Sequence, residues 1–364
     1  MNPYDNLPRH SFWKATAAAD FLDAGFDVGK KCAFSPGHKF ATSGSCFAQH
    51  FAKSLAARGG NVLFTETRPH LIPATADHGY GQFSARYGNI YTTRQLLELL
   101  SQAVGHRPPI CEFASRKDGR YVDMLRPRAV PYGFSSVGDA VADRNYHLKA
   151  VRKLIEDLDV LIFTLGLTEG WVNSEQDYCY PVVPGAIAGE FDSARHRFHN
   201  FSMREVVADL EAVVSLVNNI NPKASLLLTV SPVSLVATAE RRSVIVSTVA
   251  SKSILRAAVD EVVRNCPAAD YFPSYEIIAG PYTRGRFWAN DGREVTAEGV
   301  QTVMKIFFQS RLAELAGAGA SVAESVTPRQ AGDAPRSSMD EFLDDECEEL
   351  FLDPAFRRQS GTST

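Results

Sequence analysis

Residues 40–51 read Phe40-Ala41-Thr42-Ser43-Gly44-Ser45-Cys46-Phe47-Ala48-Gln49-His50-Phe51. The run Phe40 to Thr42 is strand-like, and Phe47, Phe51 and Leu55 recur at the spacing of one helix face. Gly44 to Ala48 therefore read as a strand-to-helix turn. A nucleophilic side chain on such a turn stands at the positive end of a helix, where backbone N–H groups can stabilise a developing oxyanion. The plainer alternative is an ordinary turn holding a small serine and a buried cysteine.

Outward from this turn, Gly59-Gly60 can cap the helix in the left-handed conformation. Asn61 to Glu66 then reads as a second strand. Residues 67–141, rich in Pro, Gly and Tyr, read as an insertion with one clear helix, Thr92 to Val104. From 143 the pattern is regular. Leu148, Val151, Leu154, Ile155 and Leu158 mark a helix, and Val160 to Thr164 a buried strand. Ser202-Met203-Arg204-Glu205 is a capping box opening a helix that Pro222 closes. Ser225 to Val230 is the next strand, followed by a helix over about 241–265. Tyr271-Phe272 lies in a short last strand, and a final helix runs from about Thr296 to Leu315.

Strands alternating with amphipathic helices predict an α/β domain over residues 35–315. Its five-stranded parallel sheet would be covered on both faces, a three-layer arrangement with flavodoxin-like order. Ligands of such sheets sit beyond the carboxyl ends of the strands. That rule gathers Ser45 and Cys46, Gly166 to Glu169, Ser231-Pro232, and Ser274 to Glu294 on one edge.

At 364 residues, one or two domains are expected. The net charge of −4 gives no reason to expect nucleic acid. No apolar run approaches the ~20 residues of a membrane span. Residues 1–34 form an N-terminal extension whose polar and aromatic start has no apolar signal core, so a cytoplasmic location is expected. The six cysteines are scattered with no Cys-x-x-Cys pair, which argues against a disulfide scaffold and a structural zinc site. Residues 316–337, rich in Ala, Gly, Ser and Pro, read as a flexible linker. Residues 338–364 are an acidic tail with Met339, Phe342, Leu343, Cys347, Leu350 and Phe351 at helical spacing. This tail reads either as disordered or as a helix that docks on a protein partner.

The pentapeptide resembles the signature of the GSCFA family, which is related to the SGNH/GDSL-type hydrolases. Four further stretches carry the resemblance: Arg86-Tyr87-Gly88-Asn89-Ile90-Tyr91, Thr164-Leu165-Gly166-Leu167-Thr168-Glu169, Thr229-Val230-Ser231-Pro232-Val233, and Tyr271-Phe272-Pro273-Ser274-Tyr275-Glu276. The resemblance covers residues 35–312 and implies an SGNH-like fold and ester-bond chemistry. A gapless match to the Gly-Asp-Ser block of the relatives puts Cys46 in the nucleophile's place, while the family's usual naming points to Ser45. Gly88, with Asn89 beside it, matches the second block, which donates to the oxyanion. Gly166-Leu167-Thr168-Glu169 stands for a Gly-x-Asn-Asp block, with Thr168 where an Asn amide is expected. The relatives carry Asp-x-x-His before the final helix, where this chain has Asp291-Gly292-Arg293-Glu294. Glu294 is therefore one candidate base, and His50, His147 and His199 are others.

The resemblance thus implies an esterase, or an O-acyltransferase acting on a carbohydrate-type hydroxyl, through a covalent acyl intermediate. Its substrate is a small-molecule or carbohydrate ester, and no metal or cofactor is expected. The competing expectation is a non-catalytic binding module that recruits a partner through its acidic tail.

Overall fold

The strand Val160–Leu165 is buried along its whole length, and its alternate residues enter two different cores. Leu161, Phe163 and Leu165 face one side, and Val160 and Ile162 the other, as the two-residue period of a strand requires. This is the signature of a sheet covered on both faces.

The computed structural model describes residues 2–17, 26, 29–68, 79–316 and 348–359. Helix α1 (Trp13–Ala17) precedes β1 (Phe40–Gly44) and α2 (Ala48–Ala57). Then come α3 (Thr93–Ala103) and a hairpin of β2 (Phe113–Ser115) and β3 (Tyr121–Asp123). Helix α4 (Val137–Asp157) leads into β4 (Val160–Leu165) and three strands, β5 (Glu169–Asn173), β6 (Tyr178–Tyr180) and β7 (His196–Asn200). Next are α5 (Met203–Ile220), β8 (Ser225–Val230), α6 (Val244–Asn265) and β9 (Ala269–Tyr271). The domain closes with α7 (Ser274–Ala279), α8 (Ala297–Arg311) and α9 (Ala313–Ala316). A 3-10 turn (Glu348–Leu352) and α10 (Pro354–Gln359) lie further along the chain.

The main sheet is parallel, in the order β1-β4-β8-β9. On one face α2, α7 and α8 pack through Phe47, Phe51, Ile277, Ile278, Val303 and Phe307. The ring of Phe51 meets that of Phe307 edge-on at 5.2 Å, and Phe272 meets Phe307 at 5.3 Å. Each such fully buried ring contributes roughly 1.5–3 kcal/mol of transfer free energy. On the other face lie Leu96 and Leu100 of α3, Val151 and Leu154 of α4, Leu210 and Val213 of α5, and Leu255 and Val259 of α6. The expected capping box at the start of α5 is present, with the Ser202 hydroxyl and Glu205 carboxylate each taking the other's backbone N–H.

The sheet has four strands rather than the expected five. The segment read as a second strand contributes a single parallel bridge, Val62 to Phe40. The reason is that other groups take the outer edge of β1. Phe40 N–H donates to Asn61 O (2.8 Å) and Leu63 N–H to Phe40 O (2.8 Å). Beyond that point Thr42 N–H donates to the Ser84 hydroxyl at 3.1 Å, the Tyr87 hydroxyl donates to Thr42 O, and Ile90 N–H donates to Gly44 O at 2.8 Å. Thr42 and the Gly44 carbonyl are thus already engaged where Thr65 and Glu66 would pair. The antiparallel sheet β6-β5-β7 was not foreseen from the sequence.

The insertion is tied to α4 by buried charges. Arg86 meets Glu66 at 2.9 Å and also pairs with Asp143. Arg126 meets Asp123 at 3.0 Å and Asp143 at 2.8 Å. Among the described residues no helix is long and apolar enough to cross a membrane.

Candidate active site

The site is built from the carboxyl ends of the parallel strands. Gly44 ends β1 with φ of +134°, and a Cβ there would lie 2.2 Å from Thr164 O. Only glycine allows β1 and β4 to approach this closely at the turn. Ser45 N–H then donates to Thr164 O at 3.1 Å, and Ala48 N–H to Ser45 O at 2.8 Å, which starts α2. Ser45 is 4% exposed, and its hydroxyl has no hydrogen-bond partner among the described residues. Cys46 is half-buried beside Tyr91, Leu167, Leu235 and Leu350.

Ser45, Cys46, Gly166 and Ser231 line one small cavity of about 10 Å³, together with Tyr91, Lys252 and Glu349. That volume holds little more than one water molecule. Four sequence-derived candidates from three separate strands thus share a wall, as the topology requires. Gly166 N–H and Leu167 N–H both donate to Tyr91 O (3.0 and 3.1 Å), and Ser231 N–H donates to Leu165 O at 2.8 Å.

Lys252 is a cavity-lining residue that the sequence reading missed. It is 2% exposed on α6, and its ammonium donates to Gly166 O at 2.5 Å. Burial pushes its pKa down to about 8, against the opposing pull of Glu349 and Cys46 and with help from Arg293. The signal was available in the helix period. Val262, Val259 and Leu255 mark the buried face of α6, and three residues before Leu255 that face reaches Lys252.

The other candidates lie elsewhere or are already engaged. The Thr168 hydroxyl donates to Asn200 Oδ1 at 2.7 Å, and its N–H to the Ser251 hydroxyl at 2.9 Å. Glu169 accepts from the Thr238 hydroxyl (2.7 Å) and Ala239 N–H (3.2 Å), and burial raises its pKa. It lines a neighbouring cleft of about 220 Å³. Asp291 is exposed and accepts from Arg293 N–H and Glu294 N–H (3.0 and 3.1 Å), which folds Asp291 to Glu294 into a tight turn. From this turn it is Arg293 that reaches toward the cavity, 3.9 Å from Glu349. Glu294 does not line the cavity.

His50 lies against the Phe47 ring at 5.4 Å, and burial, with the nearby Lys53, holds it down to about 4. His147 is fully buried in the charge cluster behind the insertion, with Nδ1 2.7 Å from Glu66. Burial first, and the Arg126 charge second, hold His147 down to about 4 against the pull of Glu66. Burial opposes charge on Glu66 as well, but His147, Arg126 and Arg86 outweigh it and hold that carboxyl well below its ordinary range. Two guanidinium groups already face Glu66, so the histidine stays neutral and donates from Nδ1. His199 meets Glu205 at 2.7 Å.

Gly88 and Asn89 line a larger cleft of about 420 Å³ with Arg126 and Arg128. There the Asn89 amide donates to Glu348 Oε2 at 2.6 Å, and the Tyr91 hydroxyl donates to the same oxygen at 2.8 Å. The acidic tail therefore meets the site. Leu350 packs with Cys46, Tyr91, Leu167 and Leu235, whereas Phe342 and the rest of 317–347 lie outside the described residues. Where a docking helix was expected to reach Phe351, Glu348 to Leu352 form a 3-10 turn. Among the described residues no group of three or more His, Cys, Asp or Glu side chains is placed to hold a metal ion.

Fold and site together define a parallel α/β protein whose first strand-to-helix turn carries a serine and a cysteine against a buried lysine. Residues 39–307 match the model of the GSCFA family, and the chain belongs to that family. Among solved structures, a protein of Parabacteroides merdae described as a GDSL-like lipase is similar at 13% identity, over 42% of this chain and 60% of that one, with a TM-score of 0.27. This chain thus spans about 60% of that protein's length. No curated protein matches the chain.

Proposed function

We propose that the chain is an SGNH-like enzyme acting on ester bonds through a covalent acyl intermediate on Cys46, with Lys252 as the general base. The observation that carries this reading is the buried Lys252, held down to about 8 in the cavity lined by Cys46 and Ser45. A lysine this close to neutrality can take a proton, which an exposed lysine at pH 7 does not do.

The steps follow from these groups. Neutral Lys252 takes the Cys46 thiol proton, and the thiolate attacks the ester carbonyl carbon. The oxyanion forms at the positive end of α2. As it collapses, the C–O bond breaks and the Lys252 ammonium protonates the departing alkoxide, which leaves a thioester on Cys46. Water or a carbohydrate-type hydroxyl then loses its proton to Lys252 and attacks the thioester, and the thiolate leaves. Hydrolysis and acyl transfer differ only in that last acceptor. This reading takes the four-stranded sheet as the core of a flavodoxin-like fold, and it gives the base's role to Lys252 rather than to Glu294, His50 or His147.

Incubation with a short-chain aryl ester and acid quenching tests it. Mass spectrometry should find the acyl mass on the peptide containing Cys46, and Cys46→Ala should lower turnover by at least roughly 10²-fold. An adduct retained in Cys46→Ala and lost in Ser45→Ala moves the nucleophile to Ser45. Full turnover in both variants sinks the reading.

A further inference from the structure

The tail turn Glu348 to Leu352 is seated residue by residue on the mouth of the site. Glu348 is 4% exposed, although it belongs to a strongly acidic stretch. Its carboxylate accepts from the Asn89 amide at 2.6 Å and the Tyr91 hydroxyl at 2.8 Å, and its other oxygen lies over Gly88. Glu349 closes the small cavity, 3.9 Å from Arg293 and within the field of Lys252. Leu350 packs on the apolar wall beside Cys46. Phe351 lines the 420 Å³ cleft, its ring 6.0 Å from the Arg128 guanidinium, and Leu352 lines the 220 Å³ cleft. Five successive side chains thus face the site, and the turn stands between the two clefts.

We propose that the face around Cys46 is a binding site for an acidic-then-apolar peptide, and that residues 348–352 of the same chain fill it in cis. Recognition centres on one carboxylate, taken by the Asn89 amide and the Tyr91 hydroxyl, with Leu350 as the apolar anchor. A buried carboxylate with two directed donors is a specific contact, since charge-assisted bonds are roughly twice as strong as neutral ones. Phe351 and Leu352 extend the contact to the walls of the clefts on either side. The consequence for the site is that Cys46 is covered while the turn is seated, so any ester must compete with the tail. The binding claim does not rest on the ester chemistry and is tested without it.

Hydrogen exchange read by mass spectrometry on the intact wild-type chain is the first arm, and it needs no variant. The amides of 349–353 should exchange at least about tenfold more slowly than in a free peptide of that sequence, as protection by a seated turn requires. Exchange at the free-peptide rate overturns the proposal. The second arm uses a fluorescein-labelled peptide of residues 348–356. It should bind the full-length chain carrying Glu348→Ala and Leu350→Ala at least about tenfold more tightly than wild type, whose own tail competes at high effective concentration. A peptide carrying Glu348→Gln should lose about tenfold, the loss of a charge-assisted contact. Equal binding to both chains, or no binding to either, overturns the site. Equal binding by both peptides overturns the carboxylate as its centre.

Discussion

Lys252 and Cys46 face one cavity from opposite sides of the sheet edge, with the Lys252 ammonium held on Gly166 O at 2.5 Å. One comes from the middle of α6 and the other from the head of α2, 206 residues apart by their numbers (252 − 46). Burial at this place brings the lysine down to about 8, while Cys46 and Glu349 pull the other way.

In the proposed chemistry, that titration sets the pH profile of Cys46. At pH 7 only about a tenth of a lysine with pKa near 8 is neutral, and the fraction rises through that value. Alkylation of Cys46 by iodoacetamide, located by mass spectrometry, should therefore accelerate with a midpoint near 8. In Lys252→Met the midpoint should move away from 8, and ester turnover should fall by roughly 10²-fold or more. An unchanged midpoint in the variant would show that Lys252 does not act on this thiol.

The same group leaves a mark on stability. The folded pKa of Lys252 is about 8 against a reference of 10.5, so the unfolded chain binds the extra proton between those values. Stability then rises with pH across that window and is lowest below it. Comparing wild type with Lys252→Met by urea melts at pH 7 and pH 10.5, wild type should gain about 3 kcal/mol relative to the variant. A difference that stays constant with pH would contradict a depressed lysine.

His147 works in the opposite range. Its folded pKa is about 4, so below 6.5 the unfolded chain takes up a proton that the native state refuses. Stability should fall as pH drops from 6.5 to 4, with a slope of about one proton from this residue. His147→Gln should make that limb shallower by about one proton. The reporter-ester pH profile should be unaffected, because His147 sits in the charge cluster and does not line the Cys46 cavity.

The turn itself leaves no room for a side chain at Gly44. At Gly44 an alanine would combine a φ of +134° with a Cβ 2.2 Å from Thr164 O. Gly44→Ala should cost on the order of 3–5 kcal/mol or prevent folding, because backbone on both sides must shift. Thermal melts against Gly59→Ala, which meets open space at a φ of +79°, separate the clash from the dihedral cost.

Much of the architecture was legible because β4, β8 and their helices carry strong periods, and strand ends in a parallel sheet point to one edge. This brought Ser45, Cys46, Gly166 and Ser231 together from sequence alone. Asn61 to Glu66 misled because its alternation says nothing about whether a ladder partner is free, and Ser84 and Ile90 had taken that edge. Lys252 was hidden by its residue type, since a lysine inside a long helix reads as solvated unless its position on the apolar face is counted. Glu348 was hidden by distance. Nothing local to an acidic stretch indicates that one carboxylate leaves water for Asn89 and Tyr91, 259 and 257 residues away.

The outer edge of β1 has a consequence for how copies of this protein can meet. An open sheet margin templates the strands of a second chain. Here the insertion's Ser84 and Tyr87 take the N–H and carbonyl of Thr42, and Ile90 the carbonyl of Gly44, on one margin. At the other, Asp270 accepts from Lys31 N–H and Cys32 N–H, and Arg311 donates to Tyr271 O at 2.7 Å. Both selvedges of the sheet are hemmed by the chain's own side chains and loops. A second chain pairing with the main sheet at Thr42, the Gly44 carbonyl or Tyr271 would first have to displace these contacts.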